Sequence, residues 1–197
     1  MFWPFGIKNK KKPNFPKRNK KVILLVDWEN LFYCLHQRSN GTNMRIEYRI
    51  KKLLEWVCTE IGETMCSIVF APEHLSADHR KIWADNGFKI MICPKKQLDK
   101  PERNPKSGQM ETLKDTVDET LIWFATMMFK HPDTGYICLV SGDDDYVPMM
   151  EEAKKLNVKR ALAPPTIGSL SKSQGLVKTF DRHPFTGRRM ILRLDQV

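Results

Sequence analysis

Short apolar runs alternate with longer segments of helical periodicity along most of the chain. Residues 22–26 (VILLV) form a continuous, β-branched run, which predicts a strand buried on both faces. Further strands are predicted over residues 65–70, 88–93, 136–140 and 158–163, and an edge strand over 190–194. Helices are predicted over residues 31–37, 45–61, 73–86, 110–129 and 147–156, and a short one over 168–179. This alternation predicts a three-layer α/β/α sandwich with a mostly parallel central sheet.

One segment, residues 94–108, interrupts this alternation and is rich in Lys, Pro and Asn. Its composition predicts a long loop after the third strand, with Lys95 and Lys96 near its start. At that position it would contact a substrate as a flap. The alternative interpretation is a solvated connection without a function.

Charge divides the chain into an arm and a domain. The 197 residues carry 33 Lys and Arg against 23 Asp and Glu, a net charge of +10. Residues 8–21 include many of these cations and no acid, and the remainder is close to neutral. We therefore expect a basic, disordered arm over 1–21, a folded domain over 22–180 and a C-terminal extension over 181–197. Such an arm favours polyanions by counterion release, although it could equally serve only to keep the chain in solution.

Several classes of protein are disfavoured by the sequence. Its apolar runs are far shorter than the roughly 20 residues of a membrane span, and its first residues lack the apolar core of a secretory signal. The five cysteines are scattered and contain no C-x-x-C pair, which indicates reduced thiols. We expect a cytoplasmic protein without stable membrane insertion.

Acidic residues follow two of the predicted strands. Asp27 comes directly after the first strand, and residues 141–145 (SGDDD) follow the fourth. If these strands are neighbours, their carboxylates meet at one edge of the sheet, where ligands of open parallel sheets bind. Two carboxylates about 5 Å apart repel by roughly 3 kcal/mol at an effective dielectric near 20. Mg²⁺ or Mn²⁺ would remove this repulsion, and such an ion beside a basic surface is typical of phosphodiester hydrolysis.

Each acid also has a purely structural interpretation. One of the three consecutive aspartates could cap the helix that follows, and Asn30 could cap the first helix. Asp27 at the end of a buried strand has no comparable role. Asp118 lies near the apolar face of its predicted helix, and a buried acid needs a partner.

Three motifs resemble those of the NYN domain, a branch of the PIN-like nuclease superfamily. They occur in order within residues 21–180: residues 26–31 read VDWENL, residues 114–118 read KDTVD, and residues 141–148 read SGDDDYVP. The third motif is the most specific of the three. The resemblance implies a PIN-like fold and a Mg²⁺- or Mn²⁺-dependent ribonuclease that leaves a 3′-hydroxyl and a 5′-phosphate.

The resemblance also implies roles for individual residues. Four acids would hold the metal: Asp27, Asp118, Asp143 and Asp145. Asn30 would hold the attacking water or the scissile phosphate, and Ser141 would orient the acids through hydrogen bonds. The distribution of charge, and not the resemblance, leads us to expect that Lys114 and the basic arm guide the RNA backbone and that Lys95 and Lys96 contact it from the loop.

Three positions depart from the family pattern. Asp115 stands where the family usually has Gly, and Asp144, at a variable position, either faces solvent or adds a ligand. Phe124 stands where a further acid is often found, so a second metal is expected to be weak or absent.

Two other functions are compatible with the sequence. A non-catalytic module could bind RNA or a processing partner and use the acids for a structural cation. A phosphatase that forms an aspartyl-phosphate is disfavoured, because it needs an Asp where Glu29 stands. An exposed edge strand is compatible with a homodimer. Separately, the choice between RNA and DNA depends on contacts to the 2′-hydroxyl, which the sequence does not reveal.

Overall fold

A computed structural model describes residues 21–36, 43–103, 108–165, 175–182 and 186–194 of the chain. The predicted basic arm, apart from Lys21, lies outside these residues, as does most of the helix predicted over 168–179. Within the described part, residues 176–178 of that prediction form one 3₁₀ turn.

Twelve helices and strands make up the described part of the fold. In chain order they are β1 (Lys21–Asp27), α1 (Trp28–His36), α2 (Asn43–Trp56), β2 (Thr64–Pro72), α3 (Ala77–Asp85), β3 (Lys89–Cys93), β4 (Lys96–Arg103), β5 (Met110–Lys114), α4 (Val117–Phe129), β6 (Thr134–Val140), α5 (Val147–Lys155) and β7 (Lys159–Leu162). A π-helical turn over Val57–Ile61 follows α2. All neighbouring strands of the main sheet are parallel, in the order β3-β2-β1-β6-β7.

The central strand β1 supplies both halves of the hydrophobic core. Val22, Leu24 and Val26 face a cluster built with α1, α2 and α3. Ile23 and Leu25, on the opposite face, pack into a second cluster with α4 and α5. Since successive side chains of a strand point to opposite faces, a continuous apolar run is what a strand covered on both sides requires. The predicted three-layer sandwich with a parallel sheet is therefore confirmed.

Local signals set the ends of α3 more closely than periodicity does. The helix begins at Ala77 instead of residue 73, because the Ser76 side chain accepts a hydrogen bond from the backbone N–H of His79. Gly87 follows the helix with a φ of 82°, a left-handed conformation that favours glycine at this position.

The loop predicted over 94–108 is wrong over residues 96–103, and the helix predicted over 110–129 is wrong over its first seven residues, 110–116. The strands β4 and β5 form an antiparallel hairpin, and α4 begins only at Val117. Met110, Leu113 and Val117 recur at spacings of three and four, so they imitate a helical face. The side chain of Asp115 accepts a hydrogen bond from the Val117 N–H, at the point where the helix begins.

The C-terminal segment lies along the outer edge of the sheet. Leu162 donates its N–H to Met190 and accepts the N–H of Leu192, so residues near the predicted strand 190–194 pair with β7 through an isolated bridge. Before it, Asp181 binds the buried guanidinium of Arg160 through both carboxylate oxygens. None of the helices described reaches the length and apolar content that crossing a membrane requires.

Candidate active site at the carboxyl edge of the sheet

Two neighbouring strands deliver the candidate residues to one edge of the sheet. β1 and β6 are parallel partners, with Val26 opposite Val140. Their next residues, Asp27 and Ser141, therefore lie side by side where the strands end. The sequence prediction required the first and fourth predicted strands to be neighbours in the sheet. This requirement is met.

Asp27 is buried, only 3% exposed, and two donors and a third, more distant hydroxyl surround its carboxylate. Its Oδ1 accepts the backbone N–H of Asn30 at 3.1 Å. Its Oδ2 accepts the Ser141 hydroxyl at 3.1 Å and lies 3.2 Å from the Tyr146 hydroxyl. These contacts fix the orientation of the side chain and satisfy a carboxylate that the strand carries out of water.

Tyr146 links Asp27 to the acid on α4. Its ring is completely buried, and its hydroxyl lies 2.5 Å from Oδ1 of Asp118 in the first turn of that helix. A phenol carries one proton, so it donates to one carboxylate at a time, and Asp118 is the nearer acceptor. This contact supplies the partner that a partly buried Asp118 was expected to need.

The loop after β6 is tied together by its own side chains. The Gly142 N–H donates to Oδ1 of Asn30 at 2.9 Å, and the Asp143 N–H donates to the Ser141 hydroxyl at 3.2 Å. Oδ1 of Asp143 in turn accepts the Asp145 N–H at 3.1 Å. Asp143 thus caps the short 3₁₀ turn over Asp144–Tyr146, and Asn30 joins the ends of β1 and β6.

Asp144 serves a different purpose from its neighbours. Its Oδ1 accepts the Leu176 N–H at 2.8 Å, which fastens the C-terminal segment to this loop. The backbone passes close by at Gly175, where an added Cβ would come within 3.3 Å of the same carboxylate oxygen. Asp144 is exposed, as one of the two sequence alternatives expected, and the clamp engages one of its carboxylate oxygens.

Burial and mutual repulsion raise the pKa values of the two central acids. Burial is the main cause that raises the pKa of Asp27 from 3.8 to about 7, and the nearby Asp118 carboxylate adds to it. The pKa of Asp118 is also raised, mainly by burial and further by the charges of Asp143 and Asp145. The hydrogen bonds from Tyr146 and the backbone oppose this rise without cancelling it. The edge therefore carries negative charge that a cation would stabilise.

The donor chemistry suits a hard divalent cation. In the described part of the chain, no group of three His, Cys, Asp or Glu side chains is already arranged to hold a metal. The contacts described here engage one oxygen of Asp118 and one of Asp143, so each has a second carboxylate oxygen for a ligand. Carboxylate oxygens with unneutralised charge are what Mg²⁺ and Mn²⁺ prefer, so these residues fit such an ion by charge and donor type.

The predicted substrate lysines lie at the base of the hairpin. Lys114 belongs to β5 and not to a helix, and it lies directly opposite Lys96 of β4. Both ammonium groups bind Glu119 of α4, at 3.3 Å and 2.6 Å respectively, while Lys95 is exposed just before β4. Lys96 is the main cause that lowers the pKa of Glu119. The hairpin is joined to α4 a second time by the Thr116 hydroxyl, which donates to the Pro94 carbonyl at 2.6 Å.

Two residues of this region escaped the sequence analysis. Tyr146 stood inside the third motif, and its hydroxyl amid three aspartates was the signal for a polar role. Glu119 gave no such signal, because its partners come from strands that periodicity had assigned to a loop and a helix. Phe124, where the family often has an acid, packs against Phe70 with ring centroids 5.8 Å apart.

Comparison with known proteins places this geometry in a family. The family model described as NYN domain matches residues 21–181, most of the chain. The chain belongs to the NYN domain family. The motifs VDWENL, KDTVD and SGDDDYVP thus lie inside the matched range, and the loops that they form are those that meet at the carboxyl edge. Membership of this NYN domain family supports a nuclease-like protein.

Structural comparison agrees with the fold of an NYN domain. A crystal structure of a protein of unknown function from Vibrio parahaemolyticus RIMD 2210633 is 20% identical, with a TM-score of 0.59, over 84% of this chain and 92% of that one. At that identity the likeness shows the fold alone. A PLP-bound protein of Clostridium difficile 630, titled a putative aminotransferase, is 13% identical with a TM-score of 0.23, over 69% of this chain and 40% of its own. No curated protein gives a significant match.

Proposed function

We propose that this NYN domain is a Mg²⁺- or Mn²⁺-dependent ribonuclease whose active site is the acidic edge described above. The observation that carries the proposal is the Tyr146 hydroxyl shared by Asp27 and Asp118, beside the charges of Asp143 and Asp145. These acids come from three separate parts of the chain, and their convergence raises two pKa values at a cost in stability. Such an arrangement is typical of functional sites.

The acids would divide the work according to their surroundings. Asp27, Asp118, Asp143 and Asp145 would hold the metal, which when bound supplies water activation and neutralises the charge that develops on the phosphate. Asp27 is the rigid member, held by two donors and in contact with the Tyr146 hydroxyl, and Asp145 is the exposed one. Ser141 and Tyr146 are positioning residues, because they contact the carboxylates and orient them. A bound cation would favour the charged form of both central acids, which burial disfavours.

The substrate would approach from the side of the hairpin. Lys96 and Lys114 would contact backbone phosphates, and Lys95, exposed just before β4, would extend this contact at the base of the hairpin. The side-chain oxygen of Asn30 is engaged by Gly142, so its contribution to a substrate or a water is its amide N–H₂ group. The basic arm of residues 8–21 would add sequence-independent attraction for the RNA backbone.

A pair of neighbouring substitutions tests the assignment. We expect Asp143→Asn to abolish the cleavage of single-stranded RNA in Mn²⁺, and Asp144→Asn to leave it unchanged. Asparagine at 144 still offers an oxygen to the Leu176 N–H, so the C-terminal clamp is retained. Cleavage that persists in Asp143→Asn, or that is lost equally in both variants, would place the chemistry elsewhere.

A second candidate, a non-catalytic RNA- or partner-binding module, is favoured by one observation. The Tyr146 hydroxyl already bridges two acids, and the described residues contain no group of three ligands in place for a metal. Salt-sensitive RNA binding without any metal-dependent product would establish this second function and exclude the first.

A further inference from the structure

One face of the hairpin combines cations with an exposed apolar side chain. Lys96 lies opposite Lys114 and Arg103 lies opposite Met110, and opposite residues of antiparallel strands project from the same face. Met110 and Lys114 are also separated by an even number of residues in one strand, so they share this face. We call these four residues, Lys96, Arg103, Met110 and Lys114, the cationic face.

The exposed side of α4 continues the cationic face. Glu119 binds Lys96 and Lys114, and Trp123 and Met127 follow it at intervals of four residues, which places them on the same side of the helix. Trp123 is 59% exposed, Met127 50% and Met110 64%. An indole exposed to water one helical turn after a carboxylate that binds two ammonium groups is an unusual feature of a soluble surface.

The balance of charge on this surface indicates its ligand. Lysines that face each other across a strand pair repel, and here a single carboxylate, Glu119, serves both of them. Arg103 adds a third cation to the same face. The surface therefore retains an excess of positive charge around exposed apolar side chains, which complements a chain of phosphates that carries bases.

We propose that the cationic face and Trp123 together bind single-stranded RNA, with the indole stacked on an unpaired base and Lys96 and Lys114 on the flanking phosphates. Stacking requires bases that are not paired, which excludes a continuous duplex as the ligand. The site leads directly to the acidic edge, since Asp118 precedes Glu119 in the first turn of α4. This proposal rests on the proposed function, from which it takes RNA as the substrate class. It names the path by which that substrate reaches the acids.

Glu119 would compete with the RNA for the two lysines. In the free protein its carboxylate occupies the positions where phosphate oxygens would bind. Glu119→Gln would remove this competition, and we expect it to tighten RNA binding several-fold and to steepen its salt dependence. A substitution that merely weakened the fold would not increase affinity.

The test is the affinity of a fluorescent single-stranded oligouridine, measured by anisotropy in EDTA so that cleavage does not interfere. We expect Trp123→Ala to weaken binding about tenfold and Trp123→Phe to retain most of the affinity, because base stacking needs an aromatic face. Tyr48→Ala, at a similarly exposed residue on α2, is the matched control and should bind as the wild type does. The Lys96→Gln/Lys114→Gln variant should lower the salt slope by about 0.7 for each lost phosphate contact.

The outcomes separate this proposal from the nuclease. Unchanged affinity in Trp123→Ala overturns the surface even if the protein cleaves RNA. Weakened binding in Trp123→Ala, with no cleavage by the wild type, supports the surface and excludes the nuclease. A second occupant, another copy of the chain, would show in sedimentation as a wild-type dimer that Trp123→Ala dissociates with RNA affinity unaltered, and that result also overturns the proposal.

Discussion

At the residue scale, the hydroxyl group of Tyr146 needs an explanation. A phenylalanine would fill the same space in the core beside α4 and α5, so packing alone does not account for the hydroxyl. The hydroxyl contacts both Asp118 and Asp27. The pKa values of these two acids are raised even in its presence. A buried donor between two such acids orients them in the way that outer-shell residues orient metal ligands.

Removal of this single hydroxyl is therefore expected to weaken metal binding. Tyr146→Phe should lower Mn²⁺ affinity by about 10- to 100-fold, because residues behind metal ligands commonly contribute that much. Isothermal titration calorimetry measures the affinity without any need for activity. Tyr136→Phe, which removes a phenol hydroxyl from β6 away from the acids, is the control. Equal affinities in the wild type and Tyr146→Phe would show that the hydroxyl has no such role.

The raised pKa of Asp27 predicts how stability changes with pH. The folded value of about 7 exceeds 3.8, so the folded protein holds a proton that the unfolded chain releases. The stability contributed by this proton is complete below pH 3.8 and is lost as pH rises through about 7. Its upper bound is about 4 kcal/mol, since each unit of pKa difference corresponds to about 1.4 kcal/mol.

Urea denaturation in EDTA measures this contribution by comparison with Asp27→Asn. We expect the free energy of unfolding of the wild type, relative to that variant, to fall between pH 5 and pH 8. Added Mn²⁺ should restore part of it to the wild type alone. A difference that is independent of pH would show that Asp27 is already ionised in the metal-free protein.

At the element scale, the structure of the site depends on where α4 begins. Three residues before its first turn, the chain is still in β5, and this places Lys114 on the hairpin and Asp118 on the helix. Periodicity could not predict that division, because the apolar residues of β5 continue the helical spacing of α4. The contact between Asp115 and the start of α4 was readable in principle, as an acid just before a helical segment, although the resemblance to the family had drawn attention to the charge of that residue instead.

A buried ion pair contributes to holding the C-terminal segment, together with the Asp144 clamp and the pairing with β7. The Arg160 side chain is 6% exposed and the Asp181 side chain 24%, and Glu151 is a third, more exposed partner. Asp181→Asn should reduce the free energy of unfolding by about 2 to 3 kcal/mol, because it leaves a buried guanidinium poorly compensated. Glu151→Gln, at the exposed end, should change it by less than about 1 kcal/mol.

The pH dependence of this pair has the opposite sign to that of Asp27. The hydrogen bonds and charge of Arg160 lower the pKa of Asp181 despite its partial burial. The contribution of Asp181 is therefore present above its unfolded pKa and is lost as pH falls through the lower folded value. Thermal unfolding at pH 7 and pH 3 should show a large difference between wild type and Asp181→Asn at the higher pH only. A difference of equal size at both would contradict the ion-pair account.

At the scale of the whole molecule, the sequence was sufficient for the architecture and for the location of the acids. Continuous β-branched runs marked strands buried on both faces, and the strand-end aspartates then had to lie at the carboxyl edge if the strands were neighbours. Asp27 and Ser141 fulfil that expectation. Long-range contacts such as Tyr146 to Asp118, or Lys96 to Glu119, join segments separated by 28 and 23 residues, and local patterns carry no information about them.

At the scale of the molecule, acids and cations are found in different places. The acids converge at one edge of the sheet, whereas cations are concentrated in the first residues of the sequence and lie on one face of the hairpin beside that edge. A polyanion attracted by the cations would be brought next to the acidic edge, and a divalent ion would offset the repulsion between its phosphates and the carboxylates.

The measurement that tests the central claim most directly is the analysis of product ends after incubation of a labelled single-stranded RNA with purified protein in Mn²⁺. The account predicts cleavage that EDTA abolishes and products with a 5′-phosphate and a 3′-hydroxyl, as expected when water is the nucleophile. Products with a 2′,3′-cyclic phosphate, or cleavage that continues in EDTA, would contradict it, because neither requires the acids that converge on Tyr146.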